Sequence, residues 1–287
     1  MARSLKDIKR RIASVKKTRQ ITRAMKLVAG AKLKRATDAA VSARPYQQHL
    51  SAVLGRVAAS AGDQVDSALL KPREHVARIG LVLLTSDRGL CGGFNNTLVR
   101  RTADWIAERK AAGAEVSLWI YGRKGQAGAA ARRWQADKVV VEWTGAKGRR
   151  ERVDALCADA IAAFEAGHLD EVVIGYNAFV NVLTQKPAFR RLLPATVDGT
   201  TDSVDYLAEP NAPAIVEALL PLYVRTIALQ TFLETEAGEH AARMTAMDSA
   251  TRNAGELIQG LTLEYNRARQ AAITKELIEI VSGAQAL

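Results

Sequence analysis

The chain has little of the residues that build disulfide frameworks or end helices. Its 287 residues contain two cysteines and seven prolines. Two cysteines, Cys91 and Cys157, exclude a disulfide framework, and we expect both to be buried, reduced thiols. No run approaches about 18 consecutive apolar residues, so we expect no transmembrane helix.

Residues with catalytic or metal-binding patterns are also missing. None of the four histidines has a Cys, Asp or Glu at the spacing of metal ligands. No Ser-His-Asp arrangement is legible in the sequence, although residues that meet only in the fold escape such a search. We therefore predict no metal, no cofactor and no catalytic residue, which favours a scaffold, a rotor or a binding partner.

Proline is absent from long stretches at both ends. None precedes Pro45 and none follows Pro221. We predict helices over about 3–58 and 212–283, roughly 80 Å and 105 Å long at 1.5 Å per residue. Asn211 is a suitable cap for the second helix.

The second helix carries an apolar heptad repeat. Its members step by four and then three: His240, Met244, Met247, Thr251, Ala254, Ile258, Leu261, Tyr265, Ala268 and Ala272. A repeat kept this long needs a partner helix. The first helix provides one, because Leu5, Ile8, Ile12 and Val15 have the same spacing, and Ile21, Met25 and Val28 continue it at an offset. The ends therefore predict a long antiparallel coiled coil; two separate amphipathic helices on a globular core are the alternative.

Positive charge is concentrated at the N-terminus. The chain carries +11, and the first 35 residues hold thirteen Lys or Arg against the single acid Asp7. Such a one-sided field implies an acidic partner, whether nucleic acid, anionic lipid or acidic protein. Aromatic residues are scarce in this block, which argues against base stacking. A merely solvated helix face is the other interpretation.

Strands and helices alternate in the middle of the chain. Strands are predicted at 76–84, 116–121, 138–143 and 171–176, and helices at about 94–112, 123–134 and 151–167. This alternation predicts a parallel sheet with helices on both faces. The segment 177–194 is expected to return along a sheet edge.

A glycine-rich loop, 85–95, follows the first predicted strand. In α/β domains that position binds nucleotide phosphates. The loop has neither G-x-x-x-x-G-K-[ST] nor G-x-G-x-x-G, so it favours a tight turn over a phosphate site. A nucleotide-binding α/β protein and a basic coiled-coil protein that binds nucleic acid remain the alternatives at this point.

Three stretches together resemble a known family. Ile12–Ala29, Ser86–Gly93 and Glu264–Leu277, with Ile280–Ala284 beyond, are similar to motifs of the bacterial F-type ATP synthase gamma subunit and occur in that family's order. The likeness spans essentially the whole chain. The insert Trp143–Arg150 matches no motif of the family.

The resemblance implies a fold and a function. The fold is a long antiparallel coiled coil, from segments 1–58 and 212–287, plus a central Rossmann-like α/β domain over 75–195. The function is that of the central rotor shaft, which couples proton-driven c-ring rotation to conformational change at the beta-subunit catalytic sites for ATP synthesis or hydrolysis. Catalysis takes place on beta, so the shaft itself is not an enzyme.

The resemblance also implies partners and contact residues. The partners are three alpha and three beta subunits, the epsilon and delta subunits and the c-ring, with one copy of this chain per complex and no nucleic acid. The complex lies on the cytoplasmic face of the bacterial inner membrane, where this chain is peripheral. The implied beta contacts are Arg23, Met25, Lys26, Arg243, Arg269, Gln270, Thr274 and Glu276. The implied c-ring and epsilon contacts are Tyr206 and Glu209.

Overall fold

Two compact units make up the structure. A computed structural model describes residues 4–196, 209 and 211–285. One unit consists of Met1–Ala29 with Arg243–Leu287, and the other of Gly30–Ala242. The described elements are α1 (Leu5–Ala61), β1 (Arg78–Leu84), α2 (Phe94–Ala111), β2 (Glu115–Tyr121), α3 (Arg123–Ala131), β3 (Lys138–Val140), α4 (Ala146–Glu165), β4 (Glu171–Phe179), β5 (Gln185–Leu193) and α5 (Ala212–Gln285).

The two terminal helices are continuous, as the sequence predicts. Helix α1 has 57 residues and α5 has 74. At 1.5 Å per residue they extend about 86 Å and 111 Å. The Asn211 side chain caps α5 by accepting a hydrogen bond from the Ala214 amide at 2.9 Å.

The heptad repeat of α5 is confirmed in the terminal unit. Met247, Ala254, Ile258 and Leu261 are buried there. The remaining members from Thr251 to Ala272 are half-buried, while most residues between them are exposed. The apolar seam is therefore a real contact surface.

Direct contacts establish that α1 and α5 run antiparallel in this unit. Thr22 of α1 and Thr251 of α5 share a hydrogen bond of 2.8 Å between their hydroxyls. One turn later on α1, Lys26 binds Asp248 at 2.6 Å. The residue number rises along one helix and falls along the other, as an antiparallel pair requires.

The predicted offset in α1 is wrong. Ile21 and Val28 are 60% and 57% exposed. The buried residues are instead Ile8, Thr22 and Ala29, which keep an unshifted seven-residue repeat. This repeat is hard to recognise because Thr22 is polar and Ala29 is small, yet both are suited to close helix contact.

The second unit contains a five-stranded sheet in the order β3-β2-β1-β4-β5. Four strands are parallel, and β5 pairs antiparallel with β4 at the edge, where the return segment is expected. The predicted α/β alternation is therefore confirmed.

Helices cover both faces of the sheet. One face packs against α2 and α3 through a cluster that includes Ile79, Leu81, Leu83, Leu98, Val99, Trp105, Ile120 and Ala129. The other face packs against α4 and the parts of α1 and α5 in this unit, through residues that include Leu54, Val82, Tyr121, Leu156, Phe164, Ile174, Val224 and Phe232. Full burial of a large apolar side chain is worth about 1.5–3 kcal/mol, so both layers stabilise the sheet.

The third strand is shorter than predicted. It ends at Val140, not at Trp143. Glu142 has a φ of 56°, a left-handed conformation that takes the chain out of the sheet. Trp143 is completely buried outside the strand, and α4 begins at Ala146, five residues before the predicted start at 151.

Helix α5 contains an 18-residue window with a mean hydropathy of 1.5, long and apolar enough to cross a membrane by composition. The sequence expectation of no such helix considered only unbroken apolar runs. In the α/β unit, Val216, Leu220, Val224 and Phe232 of α5 belong to the same core cluster as the strands. A core helix passes the same test, so the window is weak evidence for a membrane span.

Candidate contact surfaces

The basic residues of α1 face solvent. From Lys6 to Arg35, every Lys and Arg is exposed except Lys26, which is half-buried. Met25, also implied as a beta contact, is half-buried, and Arg23 is exposed. The charge block is thus a free surface along the helix, available to an acidic partner.

Lys26 lies at the contact between the two helices. Its side chain is 42% exposed, and its ammonium donates to Asp248 at 2.6 Å. The hydrogen bond from Lys26 holds the pKa of Asp248 below its ordinary value, against a smaller opposing effect of burial. Lys26 therefore joins α1 to α5 in addition to any contact outside the chain. Sequence reasoning missed Asp248, because the residue flanks the apolar seam and matches no motif.

The implied contacts on α5 fall at two levels. Arg243 is half-buried, whereas Arg269, Gln270, Thr274 and Glu276 are exposed. Arg243 and Arg269 are 26 positions apart, which corresponds to about 39 Å along a helix. These residues therefore do not converge into one site.

The remaining implied contacts are Tyr206 and Glu209. Glu209 is exposed. Tyr206 lies outside the described residues.

The glycine-rich loop after β1 accepts hydrogen bonds from three amides of the helix that follows β2. At the N-terminus of α3, the Arg123 amide donates to Asp87 at 3.2 Å and the Gly125 amide donates to Thr85 at 2.7 Å. The Lys124 amide donates to the Ser86 carbonyl at 3.0 Å. These are the donors that a phosphate would use at a helix N-terminus.

The turn after β2 also packs closely against this loop. Gly122 has a φ of 101°, and a Cβ atom there would lie 2.2 Å from the Thr85 carbonyl oxygen. The Asn95 side chain accepts from the Ser86 amide at 2.9 Å. The loop is therefore tightly packed against the start of α3, which favours the turn that its sequence predicts and leaves the amides of Arg123, Lys124 and Gly125 already bonded.

The described residues hold no cluster of three or more His, Cys, Asp or Glu side chains placed to bind a metal ion. Cys91 and Cys157 are both buried and unbridged, as predicted. Burial, chiefly, and the nearby Asp154 carboxylate raise the pKa of the Cys157 thiol to about 12, against the effect of Arg225. A thiol in that state is a poor nucleophile.

Comparison with known proteins identifies the family. The family model described as ATP synthase matches residues 4–287. The ATP synthase gamma chain of Pelotomaculum thermopropionicum is 45% identical over 292 residues, which cover 99% of each chain. The gamma chain of an Anaeromyxobacter species is 46% identical with the same coverage. The chain belongs to the ATP synthase gamma chain family.

Solved structures agree on the fold. The rotor of the Euglena gracilis mitochondrial ATP synthase in rotational state 1 matches with a TM-score of 0.62 at 17% identity, covering 94% of this chain and 98% of that chain. The central stalk and c-ring structure of the Tetrahymena thermophila mitochondrial enzyme matches with a TM-score of 0.60 at 23% identity, covering 80% and 99%. The predicted coiled coil plus Rossmann-like domain is confirmed.

The function follows from the family. A gamma chain is the central rotor shaft of a membrane-associated ATP synthase complex, and the catalytic sites lie on beta. The predicted rotor role and the prediction that the chain is not an enzyme are thereby confirmed. The two alternative predictions, a free-standing nucleotide-binding protein and a nucleic-acid-binding protein, are not confirmed.

Proposed function

We propose that this gamma chain turns with the c-ring and drives the beta-subunit catalytic sites through successive conformations. The antiparallel pair of terminal helices supports this proposal best. A buried seam braces the pair, and directional contacts such as Thr22–Thr251 and Lys26–Asp248 cross it. Helices braced in this way resist separation and sliding, which is what a shaft under torque requires.

The proposed assembly contains one copy of this chain with three alpha and three beta subunits, the epsilon and delta subunits and the c-ring. The complex lies on the cytoplasmic face of the bacterial inner membrane, and the shaft is peripheral to it. Of the predicted coiled-coil segments 1–58 and 212–287, the parts in the terminal unit, 4–29 and 243–285, are surrounded by alpha and beta, because the remainder belongs to the α/β unit. Segment 75–195 faces epsilon and the c-ring, together with Tyr206 and Glu209.

The contacts with beta are proposed at two levels. Near the middle of the helix pair, Arg23, Met25, Lys26 and Arg243 meet acidic segments of beta. Towards the C-terminus, Arg269, Gln270, Thr274 and Glu276 meet a loop of beta. The exposed positive charge of Arg23 supports the first level, and the exposure of all four residues supports the second.

Arg23 allows a direct test because its exposed side chain contributes charge without helix packing. The chain is assembled with its partner subunits in membrane vesicles, and ATP hydrolysis and ATP-driven proton pumping are measured together. We expect Arg23→Glu to lower the number of protons pumped per ATP by a few-fold, because the charge of a proposed contact is reversed. Arg100→Glu, the same change at an exposed position of α2, is the matched control.

Two results would overturn the proposal in different ways. An Arg23→Glu complex with the same pumping ratio as the Arg100→Glu complex removes Arg23 from the beta contact. Failure of the unaltered chain to support pumping, in a complex that still hydrolyses ATP, removes the coupling role itself.

A further inference from the structure

The segment between β3 and α4, which matches no family motif, is fastened to α5 inside the α/β unit. Trp143 is completely buried, and its indole nitrogen donates to the Thr85 carbonyl at 2.9 Å. Its ring meets Phe232 of α5 edge-on, with centroids 5.1 Å apart and planes at 76°. Tyr121 meets the same Phe232 ring at 5.4 Å. Phe232 thus contacts one aromatic ring of the sheet and one of the segment between β3 and α4.

One turn further along α5, Glu236 forms a second and polar attachment. One carboxylate oxygen accepts from the Gly145 amide at 3.3 Å, and the other accepts from the guanidinium of Arg149. The side chains of Arg149 and Glu236 are only 13% and 11% exposed. His240 Nε2 lies 4.0 Å from the same carboxylate.

The start of α4 explains why the carboxylate lies there. Gly145 has a φ of 93° and occupies the position before the first helical residue. Amides at a helix N-terminus lack partners within the helix and favour a nearby negative charge. Glu236 of α5 therefore takes the place of a local capping residue, which ties the beginning of α4 to a different helix.

A second ion pair between α4 and α5 has the opposite polarity. Arg225 of α5 donates to Asp154 of α4 at 3.0 Å. Each helix thus presents one cation and one anion to the other. A shift of α4 along α5 would bring like charges towards each other, so the two pairs define one register.

The buried ion pair differs from ordinary apolar core packing in how it contributes to the free energy of folding. Apolar burial is non-directional and scales with the apolar area removed from water. A buried ion pair adds little net stability over an apolar replacement, but removal of one partner leaves a buried charge uncompensated. Such a pair is suited to fixing position, a use for which it is better known than for stability.

We propose that Arg149 and Glu236, with the Gly145 amide, form a positioning contact that holds the α/β layer rigidly on helix α5 under rotary load. The proposal rests on the proposed function, in which torque passes between the c-ring side of the α/β layer and the long helices. Torque must then cross the contacts between that layer and α5. Packed side chains and directional polar contacts both transmit such coupling, and this ion pair adds a contact that a shift of α4 along α5 would break.

The test uses the assembled complex in vesicles, with Glu236→Gln, Arg149→Met and the double variant. ATP-driven pumping is followed until the opposing proton gradient stops it, and hydrolysis is measured with the gradient collapsed. We expect unaltered hydrolysis without load but arrest at a smaller gradient than the unaltered complex reaches. The double variant should lose no more than the single variants, because both remove the same contact.

Lys71→Met is the matched control, because Lys71 forms an exposed ion pair with Asp66 outside the segments proposed to meet other subunits. It should reach the same limiting gradient as the unaltered chain. Vesicles are matched for hydrolysis with the gradient collapsed, so that each holds the same amount of active complex. A merely structural role, which lowers only the amount of complex, then leaves the limiting gradient unchanged.

If a single variant fails to assemble, Arg149→Met combined with Glu236→Leu is measured in the same way, since it leaves neither charge buried. A limiting gradient equal to that of the unaltered complex, in the singles or in this pair, overturns the proposal. Absence of pumping by the unaltered complex contradicts the proposed function instead.

Discussion

The ammonium of Lys26 on α1 lies 2.6 Å from the carboxylate of Asp248 on α5. This ion pair sits beside the hydroxyl contact of Thr22 with Thr251 in the terminal unit. A residue implied as a contact for another subunit thus also joins the two helices of the shaft. A change at Lys26 therefore affects the shaft as well as any partner.

The first prediction separates these two effects. Lys26→Glu places two carboxylates together, and we expect the melting temperature of the full chain to fall by a few degrees. Lys26→Glu combined with Asp248→Lys restores opposite charges and should recover most of the loss. Thermal unfolding by circular dichroism measures both. Equal melting temperatures for the single and the exchanged variants would contradict a stabilising pair.

The second prediction compares two leucines of one helix. Leu261 is 4% exposed in the seam of α5, whereas Leu263 is 61% exposed. Leu261→Asp should cost about 3 kcal/mol or more, because it removes apolar contacts and brings a charge into the seam. Leu263→Asp should cost less than about 0.5 kcal/mol.

Denaturant unfolding of the full chain followed by far-UV circular dichroism gives both values. Similar losses for the two variants would mean that the seam does not bury Leu261. An unchanged stability in Leu261→Asp would mean that the helix pair does not depend on this part of the seam.

The helix pair also indicates how far the sequence alone can predict this fold. The seam of α5 is legible because apolar residues occupy nearly every seam position. On α1 the search for apolar residues selects Ile21 and Val28, which are exposed, and passes over Thr22. Thr22 can be buried because its hydroxyl donates to the Arg19 carbonyl at 3.1 Å and accepts from the Thr251 hydroxyl at 2.8 Å. A partner 229 residues away leaves no local signal for that.

Distance along the chain also explains why the sequence alone assigns no role to the segment Trp143–Arg150. Arg149 and Glu236 lie 87 residues apart in the sequence and meet only in the fold. Neither stands in a recognisable motif, and Trp143 gives only a general indication of burial. The implied contacts at Arg23 and Arg269, in contrast, come from family resemblance, because a contact with another subunit leaves no pattern within this chain.

The third prediction concerns Cys157. With a pKa of about 12, its thiolate fraction at pH 8 is about one in ten thousand. We therefore expect iodoacetamide to leave Cys157 unmodified in the folded chain at pH 8 and to alkylate it after unfolding in guanidinium. Peptide mapping by mass spectrometry follows the reaction. Equally fast modification in the folded and unfolded chains would contradict the burial of this thiol.

The fourth prediction follows from Asp170, which begins the turn into β4. Burial alone would raise the pKa of Asp170, but hydrogen bonds from the Arg78 side chain and from the amides of Arg78 and Ala77 outweigh it and lower the pKa below 3.8. The shortest of these hydrogen bonds, from the Arg78 amide, is 2.8 Å. These contacts require the ionised carboxylate, which accepts from all three donors.

A carboxyl group with a lowered pKa in the folded state stabilises the fold above its unfolded pKa and loses that contribution as the pH falls through its folded pKa. Asp170→Asn should therefore be less stable than the unaltered chain by about 1–2 kcal/mol at pH 7. The difference should shrink as the pH falls below 3.8.

Asp104→Asn, at an exposed position of α2, is the control and should follow the unaltered chain. Chemical unfolding at several pH values gives the free energy of unfolding of each chain as a function of pH. A difference between Asp170→Asn and the unaltered chain that stays constant down to the lowest pH would contradict this prediction. It would mean that the ionised carboxylate does not hold β1 and β4 together here.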